Sequence, residues 1–163
     1  MITAFTKSPD DTRELAGALA ALARAGDMVL LARELGSGKT VLAQGFGRGL
    51  GIDEPITSPS FTLVRIYPGR VRLVHADVYR LEHLQEVVEL ALPELVEEGA
   101  VAVVEWGDVA APALAADFLE VRLEWCEGED ERRVTLGAVG PGWSARQGAL
   151  SAALGRWRRD APQ

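Results

Sequence analysis

Hydrophobic positions in the first part of the chain change from helical spacing to a continuous run. Residues 11–24 place leucines at helical spacing, with Asp11 and Glu14 spaced as a capping box and Gly26 as a stop signal. Residues 28–32 are all apolar and too few for a helix, so this run predicts a buried strand. We therefore expect a helix followed by a buried strand.

The two patterns continue through the rest of the chain. A glycine-bearing loop leads into a helix over residues 39–50. Further along, the sequence predicts a hairpin of residues 61–67 and 70–77, followed by a helix over 81–98 that is broken at Pro93. A strand over 100–104 then ends on Glu105. The last predicted elements are a hairpin of 118–125 and 132–138 and a closing helix over 144–159. This order predicts an α/β fold of three layers, in which helices cover a mixed sheet that is parallel in the middle and antiparallel at the edges. Chemistry is then expected at the carboxyl ends of the central strands.

Length and composition indicate one soluble domain. The chain has 163 residues, 48% of them hydrophobic and 25% charged, and no linker long enough to divide it, so we expect a single domain over residues 1–163. Cys126 is the only cysteine, which favours a reducing, cytoplasmic setting. Residues 1–11 are polar and lack the apolar core of a secretory signal, and the apolar runs are far shorter than the ~20 residues of a membrane span.

The net charge of −7 restricts the partners that we expect. Proteins that bind nucleic acid on their own gain most of their affinity from lysines and arginines that neutralise phosphates. An acidic chain lacks this source of affinity. We therefore expect no autonomous nucleic-acid binding, and any contact with nucleic acid should go through a partner protein.

A glycine-rich motif lies between a predicted strand and a predicted helix, and this context is typical of a phosphate-binding loop. The motif consists of Gly36, Ser37, Gly38, Lys39 and Thr40. In such a loop successive backbone amides surround the β-phosphate at the positive end of the helix. Lys39 is then expected to reach between the β- and γ-phosphates, and the Thr40 hydroxyl is expected to ligate Mg²⁺.

Two carboxylates end strands that are predicted beside this loop. Glu105 follows the strand over residues 100–104, and Asp77 ends the strand over 70–77. A carboxylate in such a position can hold the metal or orient the attacking water in phosphoryl transfer. His75 shares the strand face of Asp77. A single histidine on a strand favours a hydrogen-bonded core residue over a zinc ligand.

Four motifs in this order resemble those of the TsaE (YjeE) family. They are L-G-S-G-K-T at residues 35–40, S-P-S-F-T-L-V at 58–64, H-A-D-V-Y-R-L at 75–81 and V-E-W at 104–106. The resemblance spans roughly residues 5–137. It implies a P-loop NTPase fold, binding of ATP and Mg²⁺ and slow ATP hydrolysis. It also implies work with the TsaB and TsaD proteins, which form threonylcarbamoyladenosine at adenosine 37 of tRNA.

The resemblance also implies roles for individual residues. Lys39 matches the phosphate-binding lysine of the family, and Thr40 and Glu105 match its Mg²⁺ positions. Asp77 matches the acidic residue of the family's H-x-D-x-Y-R segment. Arg132 resembles an arginine near the family's nucleotide, although an exposed hairpin charge explains this residue equally well. Lys39, Asp77 and Glu105 are therefore the candidate catalytic residues.

Two positions depart from the family pattern. Arg33 stands where the family has glycine, and Ser60 stands where the family has the threonine of S-P-T-F. Arg33 precedes the amides that hold phosphate, and Ser60 keeps a hydroxyl with a less restricted rotamer. We therefore expect these changes to affect nucleotide affinity and to leave the site in place.

Three functions compete at this point. The first is a partner-dependent ATPase in which the nucleotide orders residues 58–62 and thereby changes docking on a complex that handles tRNA. The second is a small-molecule kinase, which normally needs an acceptor pocket and an arginine-rich lid, whereas residues 81–98 are more acidic than basic. The third is a binding module in which the nucleotide is a structural ligand without relevant turnover.

Overall fold

A computed structural model describes residues 1–32, 39–57, 64–78, 90–105 and 116–158 of the chain. Within these residues the strands are β1 (Ile2–Thr6), β2 (Met28–Leu31), β3 (Val64–Tyr67), β4 (Leu73–Asp77), β5 (Val101–Glu105), β6 (Phe118–Trp125) and β7 (Arg132–Val139). They form one sheet of seven strands in the order β1-β7-β6-β2-β5-β4-β3.

The strand directions divide the sheet into a parallel centre and antiparallel edges. β6, β2, β5 and β4 run parallel to one another, whereas β7 pairs antiparallel with both β6 and β1, and β3 pairs antiparallel with β4. This arrangement confirms the predicted mixed sheet. The carboxyl ends of the four parallel strands meet at one side of the sheet, which we call the carboxyl edge.

β1 is an edge strand that the sequence analysis does not predict. Residues 1–11 look polar as a whole, yet Ile2, Ala4 and Thr6 are buried on one face of the sheet. An edge strand that buries a single face shows only a short alternation of apolar and polar residues. That alternation over residues 2–6 is the signal that could have identified the strand.

Helices cover both faces of the sheet. They are α1 (Pro9–Leu22), α2 (Lys39–Gly49), α3 (Leu92–Glu97), α4 (Pro141–Ser144) and α5 (Gln147–Ala153), followed by a 3₁₀ helix (Gly155–Trp157). Met28, Leu30 and Val104 pack on the α3 side of the sheet, while α1, α2 and the C-terminal helices cover the other side. The three predicted layers are therefore present in the described part of the chain. Of the described helices, none combines the length and the hydropathy that crossing a bilayer requires.

The predicted start of the first helix is wrong by two residues, whereas the predicted break at Pro93 coincides with the start of α3. α1 begins two residues early, because the capping side chain is Ser8, whose Oγ accepts a hydrogen bond from the Asp11 amide at 3.0 Å. Pro93 lies in the first turn of α3, where a missing N–H costs no hydrogen bond, and the left-handed backbone of Ala91 just before it agrees with the predicted break in this region. The rest of that predicted helix, residues 81–89, lies outside the described residues.

The predicted closing helix over residues 144–159 is wrong as a continuous element. The described residues form three short helical pieces, and the chain leaves regular helical geometry at Arg146. The Arg146 side chain turns inward to Asp27, which directly precedes β2. This contact between distant residues decides where the helix is interrupted. Leu150, Leu154 and Trp157 face inward as predicted.

α1 and α2 lie in close contact on one face of the sheet. A Cβ atom added at Gly45 of α2 would lie 2.2 Å from the carbonyl oxygen of Arg13 in α1, and one at Gly49 would lie 2.6 Å from the Cβ of Ala20. Only glycine allows two helix backbones to approach this closely. The position of α2, and with it the first turn of α2, is therefore set by its packing on α1.

Candidate functional site

The carboxyl edge brings together the ends of two strands and the beginning of α2. β4 and β5 pair in parallel register up to Asp77 and Glu105, which are the last residues of the two strands. Glu105 shares a strand face with Val101 and Val103, and both valines belong to the core beneath α1 and α2. The Glu105 side chain therefore points to the face of the sheet that α2 covers.

A contact between a hydroxyl and a carboxylate joins α2 to β5. Thr40, in the first turn of α2, places its Oγ1 3.5 Å from Oε1 of Glu105. Glu105 is only 4% exposed, and Thr40 is half-buried. The contact lies at the amino end of α2, where the helix dipole favours negative charge. The two residues that the sequence assigns to Mg²⁺ are thus neighbours in space although they are 65 residues apart in the chain.

The other carboxylate oxygen of Glu105 is held by a histidine. His75 on β4 is completely buried, and its Nε2 lies 2.7 Å from Oε2 of Glu105. This confirms the predicted hydrogen-bonded core histidine. Sequence reasoning missed the partner, although a signal exists. His75 pairs in register with Val103, so Glu105 is its diagonal neighbour on the same face of the adjacent strand.

Asp77 supplies a second carboxylate at the same edge. It is half-buried and stands opposite Glu105 in the parallel register. The backbones of neighbouring strands are about 4.8 Å apart, and Asp77 shares the strand face of His75. Asp77 and Glu105 therefore form a pair of acidic residues on the α2 side of the carboxyl edge.

Several residues of the predicted site lie outside the described residues. They are Gly36, Ser37 and Gly38 of the glycine-rich motif, the two departures Arg33 and Ser60, and Trp106 after Glu105. Lys39 is described as the first residue of α2, and its side chain is not among the described parts. The predicted phosphate contacts of this segment stay predictions.

Arg132 lies apart from the contact between Thr40 and Glu105. It begins β7, and its Nη1 donates to the carbonyl oxygens of Glu129 and Glu131, both at 2.9 Å. Its guanidinium stacks on Trp125 at 3.7 Å from the ring centroid. β6 and β2 separate β7 from β5, so at about 4.8 Å per strand the two backbones are roughly 14 Å apart. The predicted nucleotide contact of Arg132 therefore requires a ligand that extends along the edge.

The oxygen atoms at the carboxyl edge fit a magnesium ion. Mg²⁺ prefers hard oxygen ligands at about 2.0–2.1 Å, so two ligands at right angles lie about 3 Å apart. The 3.5 Å between Oγ1 of Thr40 and Oε1 of Glu105 differs from this spacing by a few tenths of an ångström. Because Oε2 of Glu105 is engaged by His75, Oε1 is the oxygen turned to Thr40. These two residues can therefore hold Mg²⁺ with small adjustments of their side chains.

Sequence comparison relates the chain to one family. Residues 6–134 match the family model described as Threonylcarbamoyl adenosine biosynthesis protein TsaE. The tRNA threonylcarbamoyladenosine biosynthesis protein TsaE of Streptomyces coelicolor is 42% identical over 139 residues, which cover 81% of this chain and 93% of that protein. The protein of the same name from Bacillus subtilis is 38% identical over 136 residues, which cover 83% of this chain and 84% of that protein.

Structural comparison agrees with the sequence matches. The crystal structure of Bacillus subtilis YdiB superimposes on this chain with a TM-score of 0.75 and 33% sequence identity. The superposition covers 95% of this chain and 94% of YdiB. The likeness confirms the predicted α/β fold with a mixed central sheet.

Proposed function

This chain belongs to the TsaE family and takes part in tRNA threonylcarbamoyladenosine biosynthesis, and we propose that it does so as a magnesium-dependent ATPase. The observation that carries the proposal is the contact between Thr40 at the start of α2 and Glu105 at the end of β5. It places a hydroxyl and a carboxylate beside the helix that follows a glycine-rich motif. Phosphoryl transfer from a nucleotide requires this combination.

Each site residue has a separate part in this proposal. Thr40 and Glu105 hold Mg²⁺, which when bound neutralises phosphate charge and acts as a Lewis acid. In this proposal the amides of Gly36–Gly38 would donate to phosphate oxygens, and Lys39 would bring a positive charge to the β- and γ-phosphates. Asp77 stands opposite Glu105 in the parallel register, and in this proposal it would accept a hydrogen bond from the water that attacks the γ-phosphate.

The proposal includes protein partners. We infer that the chain acts in the cytoplasm with the TsaB and TsaD proteins, which transfer the threonylcarbamoyl group to tRNA. The net charge of −7 supports contact with tRNA only through these partners, because the chain's 24 acidic residues outnumber the 17 lysines and arginines that could neutralise phosphates. The nucleotide state of this chain would then control its docking on the complex.

The first experiment measures ADP release from ATP by the purified chain, with and without Mg²⁺, and with TsaB, TsaD and tRNA. We expect Mg²⁺-dependent release, and threonylcarbamoyladenosine formation that requires this chain. Lys39→Ala and Thr40→Ala should each lower ADP release by roughly 100-fold, since each removes a group that stabilises the phosphates or the metal. Thr40→Ser keeps the hydroxyl and should retain most activity.

A matched control separates these effects from unfolding. Thr135→Ala removes a threonine hydroxyl on β7, away from β4, β5 and α2, and should leave ADP release unchanged. ADP formation that depends on an added small acceptor would replace the proposal with a kinase. Normal tRNA modification by Lys39→Ala, with folding intact, would replace it with a nucleotide-dependent binding module.

A further inference from the structure

Among the described residues, the buried imidazole of His75 makes one polar contact, and that contact is to Glu105, the metal-binding carboxylate of the proposed site. We propose that His75 is a positioning residue, which orients Glu105 so that Oε1 faces Thr40 and Mg²⁺. The inference rests on the proposed function, and it assigns to a core histidine a task that the ATPase proposal does not require. His75 touches neither Thr40 nor the nucleotide site by any described contact; it acts through Glu105.

The geometry determines the direction of the hydrogen bond. An ionised carboxylate has only acceptor atoms, so in that state the proton between Nε2 of His75 and Oε2 of Glu105 belongs to the imidazole. The 2.7 Å distance is short for an N–H···O bond, as is usual when the acceptor is charged. Nε2 therefore carries a hydrogen and donates it to Oε2 of Glu105.

The remaining nitrogen of His75 explains why this contact points to function. Nδ1 is buried and has no hydrogen-bond partner among the described residues. Burial of a polar group is unfavourable unless its hydrogen bonds are made. An apolar side chain of similar size would therefore occupy this position at a lower cost in folding free energy. Within the described part of the chain, the hydrogen bond that accounts for a histidine here is the one to Glu105.

The benefit to Glu105 is a single side-chain orientation. A glutamate has three rotatable bonds, and its terminal carboxylate rotates easily because the last torsion has a broad preference. With Oε2 bound by an imidazole on the neighbouring strand, only Oε1 can face the first turn of α2. Histidine and carboxylate partners of this kind, behind a metal ligand, typically change metal affinity or activity by 10- to 100-fold when they are removed.

The test compares His75→Leu with His75→Gln. Leucine removes the donor and keeps an apolar side chain in the core, whereas glutamine offers an amide N–H at about the position of Nε2. In the presence of ADP, the Mg²⁺ concentration at half-saturation should rise by roughly 10- to 100-fold in His75→Leu and return to within about threefold of wild type in His75→Gln. Tryptophan fluorescence measures this binding independently of hydrolysis. ADP binding in EDTA should be the same in all three proteins.

Val74→Ala is the matched control. Val74 is the buried neighbour of His75 on the opposite face of β4, so its truncation destabilises the same strand without touching Glu105. It should leave the Mg²⁺ midpoint unchanged. An unchanged midpoint in His75→Leu, or a failure of His75→Gln to restore it, would overturn the positioning role while the ATPase proposal stands. Absence of any Mg²⁺ response in the wild-type protein would overturn both.

A measurement on the wild-type protein covers the case in which His75→Leu does not fold. Nitrogen-15 spectra of the imidazole distinguish the two neutral tautomers, and we expect the proton on Nε2 both before and after Mg²⁺ and ADP are added. An imidazole with its single proton on Nδ1 has no hydrogen on Nε2 to donate to Glu105, and this result would refute the inference.

Discussion

Two carboxylates, the partly buried Asp27 and the buried Glu105, occupy opposite ends of the central parallel strands, and their surroundings differ. Asp27 directly precedes β2, and Glu105 is the last residue of β5, the parallel neighbour of β2. Each carboxylate faces a nitrogen-bearing side chain, Arg146 for Asp27 and His75 for Glu105. Every side-chain nitrogen of Arg146 and oxygen of Asp27 has a hydrogen-bond partner, whereas Nδ1 of His75 has none among the described residues.

Arg146 and Asp27 form a closed network. Nη1 and Nη2 of Arg146 donate to the two carboxylate oxygens of Asp27 at 2.6 and 2.7 Å. The guanidinium also donates to the carbonyl oxygens of Leu22, at the end of α1, and of Gly142. The amide of Arg24 supplies a further hydrogen bond to Asp27. The hydrogen bonds of these two side chains thus connect α1, the start of β2 and the C-terminal helices.

We call the pair of His75 and Glu105 open, because its polar atoms do not all have a close hydrogen-bond partner among the described residues. Nδ1 of His75 lacks a partner among the described residues, and Oε1 of Glu105 has only the 3.5 Å contact with Thr40. An ion pair whose polar atoms all have hydrogen-bond partners stabilises the fold, and it has no oxygen atom left to bind a ligand. A hydrogen-bonded pair that leaves one carboxylate oxygen with only a long contact keeps that oxygen for a ligand, at some cost in stability.

The largest predicted effect is on the closed pair. Arg146→Ala should lower the free energy of unfolding by about 3–5 kcal/mol, because it leaves the Asp27 carboxylate buried without its partner. Urea denaturation followed by circular dichroism measures this loss. ADP affinity, measured below the unfolding transition, should stay the same. A loss of less than about 1 kcal/mol would mean that this pair stabilises the fold no more than an exposed ion pair does.

A smaller change in stability is predicted for the open pair. Glu105→Gln keeps an acceptor for Nε2 of His75 and removes a buried charge, so the free energy of unfolding without Mg²⁺ should change by less than about 1 kcal/mol. Mg²⁺-dependent ADP release should nevertheless fall by roughly 100-fold. The same denaturation series and the ADP assay measure both quantities. A loss of stability as large as that of Arg146→Ala would mean that both ends of the strands are structural.

The smallest effect is predicted for an exposed ion pair of the same chemical type. Arg156 and Glu14 form a salt bridge on the surface, with side chains 60% and 61% exposed. Arg156→Ala should cost no more than about 1 kcal/mol of unfolding free energy, because water and salt screen exposed charges. Denaturation at low and high salt tests this. A loss close to that of Arg146→Ala would show that burial is not what distinguishes the closed pair.

Much of the fold follows from local sequence patterns. The central strands, α2 and both hairpins were predictable because period-2 alternation, apolar runs and helical spacing act over a few residues. Glu105 and Asp77 were predictable as strand ends for the same reason. β1 was missed because its alternation is short, and the split of the closing helix was missed because no local pattern marks Arg146 as a buried residue.

The sequence by itself determined which residues are candidates for the chemistry and in which elements the described ones lie, since motif spacing and hydrophobic period are properties of neighbouring residues. Only the tertiary structure decided that Thr40 meets Glu105, that His75 holds the other oxygen of Glu105, and that Arg146 reaches Asp27. Each of these contacts joins residues at least 30 positions apart, in elements that meet only when the sheet forms and α2 packs on α1. Strand order and register set such contacts, and both arise from the packing of the whole domain.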